Sequence, residues 1–455
     1  MSKEIHKVES AKRKDGGVVH VFSVALPLIL VASSHSIKLF CDRTMLSHYS
    51  NVHMEASFSA GITYFTMLVF FVAMINYCNV FVSQYFGAGD NDNIGRSVWQ
   101  GIIAAIIAWL ILGSGFWWAE SFFSLIGRDA ELQQAQISYV RILFATSGFS
   151  LIMAALNSFW AGRGQTWMVL VIEIVSVVLN ITFNYIFIFG KFGFPELGIV
   201  GAACGTALSV AIGTVFAAIM FFNKSNRIKY QTWPSKIFDP ELFKRLLKFG
   251  APSGVRAMLD VGAFNIFIII LSYYSAMVAQ SSTITFAINA LVFIPLFGLG
   301  NSISILVGQA IGQENISQAK RVVTSGRFIL FFYLMIAFFV LTVFEQIPLA
   351  LFNIVDAELY DMTSLFMSFI AVALIFNGIA ILHSSAISGA GDTKFPMQLT
   401  IYLSWGAFVL PIMLIYYNDI GVGWAWFVFV AHIVPKAAIL VARYRGGKWQ
   451  SMNVI

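Results

Sequence analysis

The sequence predicts an all-α membrane protein, with twelve transmembrane helices in two six-helix lobes related by a pseudo-two-fold axis along the membrane normal. Three observations predict it. Of 455 residues, 58% are hydrophobic and only 11% charged, with a mean hydropathy of +0.80; a soluble domain carries about 25% charged residues. Uncharged apolar runs recur at roughly the 20 residues that a helix needs to cross a bilayer core. The chain also repeats itself at an offset of about 225 residues.

The runs of the first half fall at 18–42, 57–83, 98–119, 136–160, 167–189 and 198–222, and those of the second at 245–271, 283–307, 323–345, 361–387, 395–417 and 421–443. Backbone polar groups in lipid must pair within their own segment, so each run is read as a helix. The parts are therefore an N-terminal tail over 1–17, an N-lobe over 18–222, a basic linker over 223–244, a C-lobe over 245–443 and a tail over 444–455. Pro240-Glu-Leu-Phe-Lys-Arg-Leu-Leu-Lys248 reads as a short amphipathic helix at the membrane interface. A polar, basic start leads straight into a full-length span, which is not the pattern of a cleavable signal peptide.

The net charge of +6 comes from bases in loops. Of 28 Lys and Arg, 21 fall in the tails and loops on one side; Arg43, Arg128 and Lys191 fall on the other; and Lys38, Arg141, Arg256 and Lys436 lie within spans. The positive-inside rule then places both termini in the cytoplasm. The expected location is a plasma membrane or bacterial inner membrane, with lipid and a small molecule as partners and no nucleic acid. Cys41, Cys78 and Cys204 show no spacing of a metal site or disulfide framework.

Shifted by 225, Pro27 meets Pro252, Leu46-Ser-His-Tyr-Ser50 meets Leu271-Ser-Tyr-Tyr-Ser275, and Gln84, Gly87, Arg96 and Gly101 meet identical residues. At 227, Asp129-Ala-Glu-Leu132 meets Asp356-Ala-Glu-Leu359, and Gly162, Gly164 and Thr166 meet Gly389, Gly391 and Thr393. Six spans per half is an even number, so both halves insert the same way and a cavity is expected between lobes that rock. Pro27 and Pro252, in the first helix of each half, remove a backbone hydrogen bond and are candidate hinges.

A charge at mid-bilayer costs about 2.5–3.5 kcal/mol on insertion scales, so span charges are candidates for function. The acids are Asp42, Glu173 and Asp260. Lys38 and Asp42 share a helix face and can pair, and Arg256 and Asp260 repeat that pattern. Asp42 and Asp260 would bind a coupling cation or proton, or touch substrate; a structural ion pair is the competing role. His35 and His383 read as ordinary polar contacts, and Arg141 and Lys436 as residues near span ends. Asn180, Asn184, Thr206, Asn265, Asn289 and Asn377 supply polar groups within spans, and helix–helix contact is their default role.

Several segments together resemble the multidrug and toxic compound extrusion (MATE) family over almost the whole chain. They are Phe40-Cys-Asp42-Arg-Thr-Met45, Leu179-Asn180-Ile-Thr-Phe-Asn184-Tyr-Ile-Phe-Ile-Phe-Gly190, Gly198-Ile-Val-Gly201-Ala-Ala-Cys-Gly-Thr206 and Ser388-Gly-Ala-Gly-Asp-Thr-Lys-Phe-Pro396. The resemblance implies a secondary antiporter, not an enzyme, that exports small organic, drug-like compounds in exchange for H⁺ or Na⁺. No other cofactor and a monomer are expected. Asp42 matches the family's first-helix acid; Asn180 and Thr206 match its polar partners, with Na⁺ possible at Asp42 and Asn180. Asp260 matches a seventh-helix carboxylate. Asn184 and Asn377 stand where many or some members carry Asp, and Lys38 and Arg256 depart from the family pattern. Glu173 and Asn184 join the coupling set, and Lys38, His35, Arg256 and Asn377 are assigned to the substrate cavity. The three span acids face four span bases, so a neutral, zwitterionic or anionic substrate is open. The alternative is a lipid-linked or polysaccharide flippase of the same superfamily. Gly87-Ala-Gly-Asp-Asn-Asp-Asn93 is not the loop expected of a major-facilitator transporter, and no nucleotide loop or His/Glu metal spacing appears.

Overall fold

The structure, a computed structural model, describes residues 16–126, 129–234, 236–352 and 354–455. The basic tail residues up to 15 and Arg128, which enter the charge count, lie outside them. Among the described residues there are 12 helices long and apolar enough to cross a membrane. They are α1 (Val18–Tyr49), α2 (Asn51–Ala88), α3 (Asn91–Gly113), α4 (Ala130–Gly162), α5 (Thr166–Ile188) and α6 (Gly198–Phe221). The second half gives α7 (Pro240–Tyr274), α8 (Ala276–Gly312), α9 (Ile316–Thr342), α10 (Ala357–Ala390), α11 (Lys394–Tyr417) and α12 (Val422–Arg445). Many exceed the expected spans. At about 1.5 Å per residue, the 35 residues of α7 outrun a hydrocarbon core of roughly 30 Å, so the helix ends stand in the interface. Leu110, Trp117, Leu125, Ile219 and Tyr417 are more than half exposed, a display that lipid tolerates and water does not.

Two expectations are corrected. The run 98–119 is not one helix: α3 ends at Gly113, and Gly115–Ile126 forms a separate helix. The break fits the packing, because a Cβ at Gly115 would stand 2.6 Å from the Phe144 ring. Residues 240–248 are not a free-standing interfacial helix but the first turns of α7, which continues without a break past Pro252. The short interfacial element is instead Lys224–Tyr230, capped by Asn223. Its last residue, Tyr230, stacks under Arg163, whose guanidinium lies 3.7 Å from the Phe159 ring and 4.4 Å from the Tyr230 ring. Burial alone would raise the Tyr230 hydroxyl's pKa. Hydrogen bonds and charge from Arg163 and Lys229 outweigh burial and hold it below the ordinary tyrosine value.

The repeat is written in the helix starts. Ser50 and Ser275 cap α2 and α8, accepting from His53 and Val278 amides at 3.5 and 3.1 Å. Asp90 and Asn315 cap α3 and α9 in the same way, at 3.3 and 3.0 Å. Asp129 and Asp356 cap α4 and α10. Each cap satisfies an amide that the helix leaves without a partner. Close packing repeats too. A Cβ at Gly162 would press on the Asn79 carbonyl, and one at Gly389 would strike the carbonyl of Ser304, the equivalent residue 225 positions on. Gly101 lies against Cys78 and Ala155, and Gly326 against their equivalents Ile303 and Leu382.

The chain forms two compact units: Leu30–Gly254, and residues up to Ile29 together with Val255–Val454. The expected limits at 222 and 245 differ from these at the first helix of each half. Val21, Val24 and Ala25 of α1 are buried in a core of second-half residues that includes Phe267, Trp426 and Trp449. Ser325 on α9 donates to the Gly16 carbonyl at 2.8 Å. The start of α7 is held in the first-half unit by the equivalent position. Gln100 on α3 donates to the Ile237 carbonyl at 2.9 Å and accepts from the Asp239 amide at 3.2 Å. The chain thus changes unit at Ile29–Leu30 and Gly254–Val255, two residues beyond Pro27 and Pro252.

Candidate functional site

Each unit holds an ionisable cluster centred on a carboxylate of the helix that starts its repeat, Asp42 on α1 and Asp260 on α7. In the Leu30–Gly254 unit, α1 supplies Asp42 and Lys38, which are only 6% and 7% exposed. The Asn184 side-chain amide on α5 donates to Asp42 Oδ1 at 2.5 Å. One turn earlier, Asn180 donates to the Thr206 hydroxyl of α6 at 3.0 Å. Among the described residues, the amide oxygens of Asn180 and Asn184 are buried without a hydrogen-bond partner. Gly205 makes room for this arrangement, since a Cβ there would fall on Asn184 Oδ1. A carboxylate, two free amide oxygens and a hydroxyl form an oxygen-rich set, the donor type that hard cations take.

Lys38 and Asp42 do not form the direct i,i+4 ion pair that their spacing suggests. Lys38 is attracted first by Glu173 and then by Asp42, so α5 competes with α1 for its ammonium. Tyr139 on α4 and Arg43 also interact electrostatically with Asp42, while the Arg43 guanidinium lies 4.6 Å from the Phe58 ring. His35 is exposed on α1.

In the other unit, Asp260 on α7 stands among bases. Lys436 on α12 donates to Asp260 Oδ1 at 2.8 Å, and Arg256 lies 3.6 Å from Oδ2 as its i,i+4 position predicts. Ser404 on α11 donates to the same carboxylate at 3.4 Å and accepts from Lys436 at 3.1 Å. Arg256 also donates to the Ser384 hydroxyl of α10. Asn377 lies half-buried on α10 and is not among the partners found for Asp260. Ser404 sits in a π-helical stretch, Ile401–Val409. Pro411 follows it; proline cannot supply the helical N–H, and such local unwinding is frequent at functional sites. Trp405, in the same stretch, donates to the Leu259 carbonyl at 3.1 Å and ties α11 to the turn of α7 that carries Asp260.

Lys436 overturns its placement as a span-end residue. It lies well inside α12 and is Asp260's shortest ion-pair contact. Its sequence signal was available, because it is a base inside an apolar run, but a partner 176 residues away leaves no local trace. Ser384, Ser404 and Tyr139 gave no sequence signal distinct from other small or polar span residues, while Gly205 lies in the segment Gly198–Thr206 without being singled out there.

Comparison with known proteins agrees with this architecture. The MatE family model matches residues 27–186 and 252–416, two segments whose first residues are the paired prolines. A probable multidrug resistance protein NorM of Thermotoga maritima is 25% identical over 419 residues, covering 91% of this chain and 89% of the relative. Among solved structures, a MOP superfamily transporter from Pyrococcus furiosus, described by a binding pocket of reverse polarity, superposes with a TM-score of 0.85. It shares 19% identity and covers 95% of this chain and 96% of its own. A multidrug resistance MATE family transporter in an outward-facing conformation gives the same TM-score, identity and coverage. These relatives do not favour the flippase-like alternative.

Proposed function

The chain belongs to the MatE family of membrane transporters, and from that premise we propose that it is a secondary active multidrug efflux transporter driven by inward movement of H⁺ or Na⁺. The observation that carries this reading is the Asp42 cluster, an acid beside two unpartnered amide oxygens inside an apolar unit. Na⁺ would take the Asp42 carboxylate and the oxygens of Asn180 and Asn184; a proton would take the carboxylate alone. Lys38 interacts electrostatically with both Glu173 and Asp42, so it is shared between the two acids.

Neutralising Asp42 changes the balance of charge on α1, whose first turns belong to the other unit and whose Pro27 lies just before the crossing. α7 has the same layout, with Asp260 beyond Pro252. Alternating access is proposed as a rearrangement of the two units about these prolines, with the chain acting as a monomer and both termini in the cytoplasm. The curated relative's multidrug-resistance name supports a drug-like substrate.

The test uses proteoliposomes with a pH gradient or a Na⁺ gradient imposed separately. One gradient is expected to drive efflux of a fluorescent organic compound, and Asp42→Asn is expected to reduce that efflux at least tenfold. Wild-type rates in Asp42→Asn under both gradients would overturn the coupling assignment.

A further inference from the structure

The Asp260 cluster carries a charge imbalance that a purely structural ion pair would not need. Two bases, Arg256 and Lys436, meet one carboxylate inside the unit, and their side chains are only 26% and 13% exposed. A lone excess charge in the membrane is costly. The donors are also in surplus. A guanidinium offers five N–H groups and an ammonium three, yet among the described residues the side-chain acceptors found for them are one carboxylate and two hydroxyls. Arg256 is suited to bind a second planar anion in a fork geometry. The side chains come from four helices, α7, α10, α11 and α12, and Ser404 lies where α11 is locally unwound.

We propose that Arg256, Lys436, Ser384 and Ser404 form a subsite for an anionic group of the transported compound, such as a carboxylate or sulfonate, with Asp260 as its resident counter-ion. This names a substrate class for the efflux function proposed above and rests on that reading. Asp260 holds the bases in place when no substrate is bound and competes with the incoming anion for them. The substrate class is then organic anions and zwitterions rather than simple organic cations.

The competition makes the test specific. Purified full-length protein is titrated with fluorescein, an organic anion, and with rhodamine 6G, an organic cation, by fluorescence anisotropy. Transport of both probes is followed in proteoliposomes. Fluorescein is expected to bind. Lys436→Gln is expected to weaken it at least tenfold, Lys436→Arg to retain it, and Asp260→Asn to tighten it several-fold. A structural ion pair predicts the reverse for Asp260→Asn, namely a lower melting temperature with no gain in anion binding. Should Lys436→Gln fail to fold, Lys436→Arg and Asp260→Asn still decide. Fluorescein affinity that ignores Asp260→Asn overturns the subsite. Rhodamine 6G transport without fluorescein binding overturns the substrate class and leaves the efflux function standing. If neither probe binds or moves, both readings fall.

Discussion

Gly205 admits no side chain without displacing the amide oxygen of Asn184. Gly205→Ala is therefore expected to cost about 1–3 kcal/mol, the usual price of overpacking a close contact. It should also turn Asn184 away from Asp42. The check is a lower melting temperature together with coupled efflux reduced beyond what the remaining folded protein explains; normal efflux at normal stability would show that Asn184's position is not needed. At this scale the sequence was partly readable. Asp42 and Asp260 stand out because charge is rare in lipid-facing runs, and the four-residue spacing correctly joins Arg256 to Asp260. It also brings Lys38 to Asp42 electrostatically, but spacing along α1 says nothing about Glu173 on α5, which attracts the same ammonium. Lys436 could be identified as a span base, but its partner lies on a helix far away in sequence, and no periodicity reports that.

α2 ends in Gly89 at φ 75°, while the equivalent turn after α8 places Glu314 at φ 56°. The left-handed region suits glycine and costs other residues roughly 1–2 kcal/mol. Glu314→Gly is accordingly expected to stabilise the detergent-purified protein by about 1 kcal/mol. Gly89→Ala, where no neighbouring atom lies within 4 Å of an added Cβ, should destabilise it by about 1 kcal/mol through backbone strain alone. Opposite shifts in melting temperature check the pair, and shifts of the same sign would refute the repeat-equivalent turn geometry. Helices were the most legible level. The lipid requirement for internally paired backbone makes every long apolar run a helix, and all twelve were found. Their ends were less legible: hydropathy marks the hydrocarbon core, whereas the helices run on into the interface until a cap or glycine stops them. The break at Gly113–Gly115 depends on the Phe144 ring from another helix, which the run itself does not contain.

Across the whole molecule, duplication was visible as an offset, but what it conserves became clear only in three dimensions. The matched Gly162 and Gly389 preserve a helix-to-carbonyl approach. Gly162→Ala and Gly389→Ala are each expected to destabilise by about 1–3 kcal/mol, and the double variant by about the sum, because the two contacts share no partners. Strong non-additivity in chemical unfolding would contradict this independence. The crossing of α1 and α7 between units was not legible, since the linker at 223–244 is the obvious composition boundary while the crossings lie inside uninterrupted helices. That crossing has a consequence for biosynthesis. Leu30–Gly254 is continuous and finds its partners within itself as soon as residue 254 is made. Val18–Ile29 is translated before that unit, yet Val21, Val24 and Ala25 pack in a core that includes Trp449. At a synthesis rate of about 5–20 residues per second, translating the stretch between residues 254 and 449 takes about 10–40 s. During that interval the N-terminal half of α1 awaits its partners, and the nascent protein must shelter it in lipid or in the insertion machinery until the residues around Trp449 arrive.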